Sequence, residues 1–345
     1  MDIVRRDATD PAVIRACHEI ATAADAADDP FGPPLTLRRM RGWLAHPVEP
    51  TELWAAEGAT AGGGIAGWYL LRLPDQENLD KGSLTLAVHP ASRRGGVGTA
   101  LLRHAAMRAA DHGRSALRGS ALQGTAGAAF AARVGATAGL VDARRVLALG
   151  KIPPGHVAVL RERATRAAAG YSLVSWEGRT PDQYQAGFAD VLNAANDMPH
   201  DPGQDEEVWD ANRVREYDEA RERRGRHIYT IAALHDASGA MAAVTDVEVD
   251  SESPTWGYQL LTAVTRPHRG HRLGLLVKAA MLEWLAVAEP QLERIITGNA
   301  AVNQHMISIN QQLGYELLEP PEQSYEIAVA DLCRLPATVS EADDD

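Results

Sequence analysis

Between Leu84 and Arg108 the chain reads LTLAVHPASRRGGVGTALLRHAAMR: an apolar, β-favouring run, a turn at Pro90, a basic glycine loop, then an Ala/Leu-rich helix. A strand that feeds a helix through such a loop leaves backbone N–H groups at the helix N-terminus, where unpaired donors and the dipole favour a phosphate. Gly95, Gly96 and Gly98 let a phosphate approach the backbone closely. No Lys-[Ser/Thr] pair follows these glycines, so the Walker spacing is absent, and so is G-x-G-x-x-G with a later acidic residue. An ordinary glycine turn between strand and helix carries the same residue types, so the loop needs a second observation.

That observation is an echo. The stretch Thr262 to Gly274, TAVTRPHRGHRLG, leads into a helix from Leu275 to Ala288, again as strand, basic loop with glycines, helix. Arg269 follows Arg93 by 176 residues, and, independently, Ile309 to Gly314 repeats Phe130 to Gly135 at a distance of 179 residues. Two offsets that agree within three residues identify a duplicated domain. A length of 345 residues also suits two cores better than one.

The rest of the chain fits two copies. Helices flank a loop at Asp29 to Pro34, and strands at Glu52–Glu57 and Ile65–Leu73 flank a Gly62-Gly63-Gly64 turn. Leu84–Val88 is the next strand, followed by its helix, a short strand at Ser115–Leu117, a helix at Thr125–Arg133 and a closing strand at Arg144–Leu149; no clear strand precedes the first helices. The expected domains are 1–153, a connector helix at 154–168 with few bulky apolar residues, 169–336, and a disordered acidic tail at 337–345. In the second copy the spacing predicts strands at 171–176, 229–234, 241–249 and 256–265, and a charged helix from Asp205 to Arg224.

Composition narrows the function. With 46 acidic against 34 basic residues the net charge is −12, which argues against a general nucleic-acid binder. Cys17 and Cys333 are far apart, so neither a disulfide framework nor a cysteine metal site is expected, and no metal ligand set stands out. The charged N-terminus and the lack of long apolar windows point to a cytoplasmic protein without a membrane segment.

Arg93, Gly96 and Gly98 satisfy [Q/R]-x-x-G-x-[G/A], and this resembles the pyrophosphate loop of the GNAT superfamily of acyl-CoA-dependent N-acyltransferases. Asn303 to Tyr315 is similar to that family's N-x-x-A-x-x-x-Y-x-x-x-G-F helix, keeping the Asn, the Gly and the terminal aromatic, with Asn310 at the Tyr position. In the first copy Gly124, Ala131 and Gly135-Ala136 occupy these places, so little catalytic equipment remains there. The resemblance spans nearly the whole chain and implies an α+β fold with a mixed α/β central sheet in two tandem GNAT domains. The first copy is expected to bind cofactor as a structural site, and the second to perform transfer.

The family likeness implies acetyl-CoA, or another acyl-CoA, as cofactor and direct attack by a small-molecule primary amine, in a monomer or homodimer that binds neither nucleic acid nor membrane. The expected cofactor contacts are Ala87, Val88, His89, Arg93, Arg94, Gly95, Gly96, Val97, Gly98, Thr99 and Ala100 in the first copy. In the second they are Val264, Thr265, Arg269, Gly270, His271, Arg272, Leu273, Gly274, Leu275, Lys278, Asn299 and Asn303. Arg272 stands where the middle glycine is expected, adding charge but obstructing close backbone approach. Backbone N–H groups near Val88–His89 and Val264–Thr265 are expected to polarise the thioester carbonyl.

The amine must lose its proton before it attacks, since a free alkylamine has a pKa of about 10.4. Tyr258 and Gln259 occupy the region where the family often places a Glu, so Asp246 and Glu248, on one face of a strand, are the candidate bases. Ser308 and Asn310 are candidates at the leaving thiolate; the alternative for Ser308 is a core-facing or capping serine and for Asn310 packing on the helix face. Asp205-Glu206-Glu207 reads as a solvated helix start or as an attractor for a cationic substrate. Two other functions remain open: a non-catalytic acyl-CoA-binding or sensory protein, favoured by the missing Tyr, and a protein-lysine acetyltransferase.

Overall fold

A computed structural model describes residues 1–58 and 64–334. The acidic tail and most of the triple-glycine turn lie outside the described residues. Two compact units divide the described residues, unit 1 holding 1–58, 64–141, 201–205 and 320–334, unit 2 holding 142–200 and 206–319. Both carry mixed sheets with helices on two faces, the α+β architecture expected from the sequence.

In chain order unit 1 begins with β1 (Ile3–Arg5), α1 (Pro11–Asp28), α2 (Leu37–Ala45), β2 (Thr51–Glu57), β3 (Ile65–Arg72) and β4 (Lys81–Val88). It continues with α3 (Val97–Asp111), β5 (Ala116–Leu122) and α4 (Ala126–Arg133). The helices start where the sequence supplies caps: Asp10 accepts the Ala12 N–H at 2.8 Å with Pro11 behind it, and Thr36 accepts that of Arg39 at 3.1 Å. β3 is apolar throughout because both of its faces are covered. Trp68 and Leu70 pack with Ile14, Cys17 and Met40 of α1 and α2, while Tyr69 and Leu71 pack with Leu101 and Ala105 of α3. The first strand exists after all: β1 pairs antiparallel with β2, Ile3 opposite Ala56. Three residues in a charged context carry too little periodicity to announce it.

Next come β6 (Thr137–Ala148), α5 (His156–Ala167), β7 (Tyr171–Glu177), α6 (Asp182–Ala194), α7 (Ala211–Arg223), β8 (His227–His235), β9 (Met241–Asp250) and β10 (Ser253–Val264). The chain then forms α8 (Leu273–Ala288), β11 (Arg294–Ala300), α9 (Gln304–Leu313), β12 (Glu316–Leu317), β13 (Glu322–Ala328) and α10 (Val329–Leu332). In unit 1 the sheet order is β1-β2-β3-β4-β5-β13, and β13 pairs antiparallel with β5, Tyr325 opposite Gly119. Unit 2 orders β6-β11-β10-β9-β8-β7, residues 142–148 pairing antiparallel with β11.

The strand that reads as closing the first repeat thus serves the second sheet, and the chain's last strand serves the first. Hydrophobic pattern specifies that a strand exists, not which edge it joins. The helix read as a connector lies in unit 2's core, where Leu160 and Ala164 of α5 are buried in the cluster that holds Leu276, Val277 and Leu282 of α8. The charged helix starts later than expected, because Asp210, not Asp205, caps it by accepting the Arg213 N–H at 2.8 Å.

One buried charge in unit 1 sets its response to acid. Glu52, 4% exposed on β2, accepts from Arg108 at 2.7 and 2.9 Å, lies 3.0 Å from His112 Nε2, and accepts from Trp54 Nε1 at 3.0 Å. The Arg108 hydrogen bonds, opposed by burial and helped by His112 and Trp54, hold its pKa at about 2 against 4.5. The folded state binds this proton more weakly than the unfolded chain, so the stabilisation is complete above pH 4.5 and disappears as pH falls towards 2. Glu52→Gln should therefore cost about 2 kcal/mol at pH 7 and almost nothing near pH 2, measured by urea melts across that range.

Candidate active site

Both units open their sheets at the same place. In unit 1 the parallel pair β4–β5 is joined only at Lys81–Ala116, Gly82–Leu117 and Ser83–Arg118, although both strands continue. In unit 2 the parallel pair β10–β11 is joined only at Trp256–Arg294, Gly257–Ile295 and Tyr258–Ile296. Beyond these pairs each strand edge carries main-chain groups with no ladder partner, facing a wedge.

The loops at the wide end of each wedge repeat one another bond for bond at the offset of 176 residues. The His89 N–H donates to the Ala66 carbonyl at 3.0 Å, and the Thr265 N–H to the Ala242 carbonyl at 2.9 Å. Those two amides are therefore engaged with the neighbouring strand. Because amides alternate sides along a strand, the N–H groups of Val88 and Val264 turn the other way, into the wedge. Arg93 Nε caps the Val88 carbonyl at 3.4 Å and Arg269 Nε caps that of Val264 at 3.2 Å, leaving the N–H as the open group of each residue.

The loop arginines are themselves held by carboxylates. Arg93 makes a two-pronged pair with Asp28 at 2.7 and 3.1 Å. Arg269 shares Asp197 with Arg266, each donating at 2.7 Å, and the Arg266 and Arg269 hydrogen bonds hold the Asp197 carboxyl at about 2. Asp28 and Asp197 carry no motif spacing, which is why the sequence does not single them out.

Two left-handed residues shape each loop. They are Arg94 (φ 66°) and Gly96 (φ 80°) in unit 1, and Gly270 (φ 90°) and Arg272 (φ 57°) in unit 2. Glycine and arginine have exchanged places while the backbone stayed the same. Gly96 and Arg272 are the N-caps of α3 and α8, and neither helix has a side-chain cap there, so first-turn amides at Val97, Gly98 and Thr99, and at Leu273, Gly274 and Leu275, point outward. A Cβ at Gly98 would stand 3.6 Å from the Phe130 ring, and one at Gly274 would stand 3.2 Å from Ile309 Cδ1. Phe130 and Ile309 are themselves the 179-residue repeat partners.

Elsewhere the units differ. Asn310 is fully buried; its Nδ2 donates to Asn299 Oδ1 at 2.6 Å and its Oδ1 has no partner among the described residues. Ser308 is exposed and bonds Gln312, so it stands apart from that pair. Asn303 Oδ1 accepts the Met306 N–H at 3.2 Å as the cap of α9. Asn303→Ala should cost about 1 kcal/mol and Asn303→Asp should not, in thermal melts, whatever either does to ligand binding.

Lys278 is 2% exposed, its Nζ 5.0 Å from the centre of the Tyr315 ring, and burial lowers its pKa to about 7. His268 lies 2.8 Å from the Tyr171 hydroxyl, and the His271 ring packs 5.3 Å from the Tyr171 ring. Asp246 and Glu248 are buried on β9, where Asp246 accepts from Arg221 at 2.6 Å and Glu248 from Arg226 at 2.7 Å. Beside the second loop a cavity of about 650 Å³ is lined by Asp190, Asn193, Glu206, Glu207, Arg266 and His268, among others.

Residues 17–135 match the model of the Acetyltransferase (GNAT) family. A tandem GNAT protein from the clavulanic acid biosynthesis pathway, solved without AcCoA, aligns with 95% of this chain and 98% of its own at 29% identity and a TM-score of 0.78. Residues 17–135 therefore belong to the GNAT acyltransferase family, and the chain as a whole has the fold of a tandem GNAT protein. More distant structures share the fold. The GCN5-related N-acetyltransferase of Sphaerobacter thermophilus aligns at 15% identity over 95% of this chain and 96% of its own, with a TM-score of 0.63. A glucosamine N-acetyltransferase region of a fungal multi-domain β-N-acetylglucosaminidase aligns at 14% identity over 94% of this chain and 38% of that longer one, with a TM-score of 0.64. No curated protein sequence matches the chain. GNAT acyltransferases in general use an acyl-CoA donor, and among the described residues of this chain no helix is long and apolar enough to cross a membrane.

Proposed function

We propose that this acyltransferase moves an acetyl group from acetyl-CoA to the primary amine of a small molecule, and that unit 2 carries the transfer while the N-terminal copy serves as a structural cofactor site. The observation that carries this reading is the orphaned Asn310 Oδ1. A fully buried amide oxygen without a donor costs about 1–3 kcal/mol, and the departing thiol of CoA is the donor that the family resemblance brings to this position. Unit 1 offers no equivalent, since Ala131 stands where Asn310 does.

When bound, the donor supplies a thioester. Around it the chain contributes the outward amides of α8 and the charges of Arg269 and Arg272 for phosphates, and the Val264 N–H for the carbonyl oxygen. Asp190, Glu206 and Glu207 give the neighbouring cavity a charge that attracts a protonated amine before it is desolvated and attacks. The tandem relative from a small-molecule biosynthesis pathway accords with a small acceptor. The working form is a cytoplasmic monomer or homodimer.

One observation favours a sensor instead. Asn310 directs its Nδ2 to Asn299, so no acidic proton stands where the family places a tyrosine. Calorimetric titration with acetyl-CoA followed by a thiol-release assay over a panel of small amines and lysine peptides separates the readings. Transfer to a small amine is expected; saturable binding with no CoA release under any acceptor would establish the sensor, and release only with peptides would move the acceptor to protein lysine.

A further inference from the structure

The open strand of unit 2 contains a feature that unit 1 lacks. Along β3 and β4 the register is unbroken from Gly67–Val88 to Arg72–Ser83. Along β9 and β10 it shifts between Gln259–Val247 and Thr262–Thr245, so Leu260 and Leu261 together oppose Asp246. This bulge sits two residues beyond Tyr258, the last residue paired with β11, and so at the throat of the wedge.

A bulge leaves main-chain groups without ladder partners, and here buried side chains supply them. Asp246 Oδ1 accepts the Leu261 N–H at 2.8 Å, and Gln259 Nε2 donates to the Asp246 carbonyl at 2.8 Å and to Thr245 Oγ1 at 3.0 Å. Thr245 Oγ1 lies 2.7 Å from Thr262 Oγ1. The second carboxylate oxygen of Asp246 is fixed by Arg221 at 2.6 Å, and Arg221 is in turn 3.7 Å from Asp218, which accepts the Thr180 N–H at 2.7 Å. Asp246, Arg221, Asp218, Thr245 and Gln259 are all under 9% exposed. In unit 1 the strand register puts Leu70 and Leu84 where Asp246 and Gln259 stand, and there is no bulge.

We propose that Asp246 is a positioning residue for acyl transfer: its side-chain oxygen holds the bulged Leu261 amide so that the Thr262 and Val264 N–H groups beyond it turn into the wedge, while Arg221 only balances the buried charge of the carboxylate. This rests on the reading that unit 2 carries the transfer. Asp246 therefore acts through the strand rather than as the base that takes the amine proton. The bulge moves the phase of β10 by one residue, and the side of the strand on which an N–H emerges changes with that phase. Without an acceptor for Leu261, the strand regains a regular ladder by slipping, and the amides that face the wedge turn back towards β9.

Two double variants isolate the acceptor from the charge. D246N/R221M and D246L/R221M both remove the ion pair, but only the first keeps a side-chain oxygen for the Leu261 N–H. The probe is [1-13C]acetyl-CoA, whose carbonyl infrared band moves to lower frequency when N–H groups polarise it. The expected result is that D246N/R221M keeps the wild-type band shift and CoA release within about threefold, whereas D246L/R221M melts at a similar temperature, loses the shift and releases CoA at least tenfold more slowly. Equal behaviour of the two variants, whether both keep or both lose the shift, overturns the positioning role. Absence of any acetyl-CoA binding to unit 2 in the wild type overturns the underlying reading as well, and a titration shows this separately.

Discussion

Lys278→Met should raise the stability of unit 2 by about 3 kcal/mol at pH 7. The lysine is 2% exposed, its ammonium faces the Tyr315 ring, and burial lowers its pKa from 10.5 to about 7. The unfolded chain holds the proton more tightly than the folded one, so the lysine opposes folding in full below pH 7, and the penalty fades as pH rises to 10.5. Methionine has a similar unbranched length and needs no hydrogen bond, so it fills the same space. Urea unfolding at pH 6, 8 and 10 should show a gain that shrinks towards alkaline pH. A loss of stability, or a gain independent of pH, would mean that the ammonium is satisfied where it stands. A site that retains a costly lysine is one where folding does not choose the residue, and Lys278 was expected from the sequence among the cofactor contacts.

Arg221→Met should have a comparable effect in the opposite direction, a loss of about 3–5 kcal/mol. Its guanidinium is 4% exposed and faces two buried carboxylates, Asp246 at 2.6 Å and Asp218 at 3.7 Å, while its Nε has no partner among the described residues. Removing the cation leaves both acids in the interior, and burial already raises the Asp218 pKa. Removing Asp246 together with Arg221 should recover most of the loss, because a neutral pair carries no such penalty. A single-variant loss below about 1 kcal/mol would show that water reaches the cluster and that the pair is dispensable.

The duplicated loop was legible because its chemistry is local. Gly96 and Gly270 sit at left-handed positions and Gly98 and Gly274 sit against Phe130 and Ile309, so the residue types recur at a fixed spacing. Arg272 takes the same left-handed geometry as Gly96, and Arg94 does so in unit 1. Whatever depends on contacts distant in sequence was not legible. Asp28 meets Arg93 across 65 residues, Arg221 meets Asp246 across 25, and neither strand 142–148 nor β13 declares its partner. The same limit applies to Asp246 and Glu248. Their alternation with Val247 correctly implied one face of a strand, but the arginines waiting on that face come from α7 and the segment after it.

The division between the copies turns on which loop serves the reacting donor. Gly96→Glu and Arg272→Glu place the same negative charge at the equivalent N-caps of α3 and α8, each at a residue whose backbone is already left-handed. CoA release from acetyl-CoA with the best amine of the panel, measured for both variants beside the wild type, is the most direct test. Arg272→Glu should slow release at least tenfold more than Gly96→Glu does, with both proteins folded by circular dichroism. The reverse order, Gly96→Glu the slower of the two, would place the transfer in unit 1 and contradict the account.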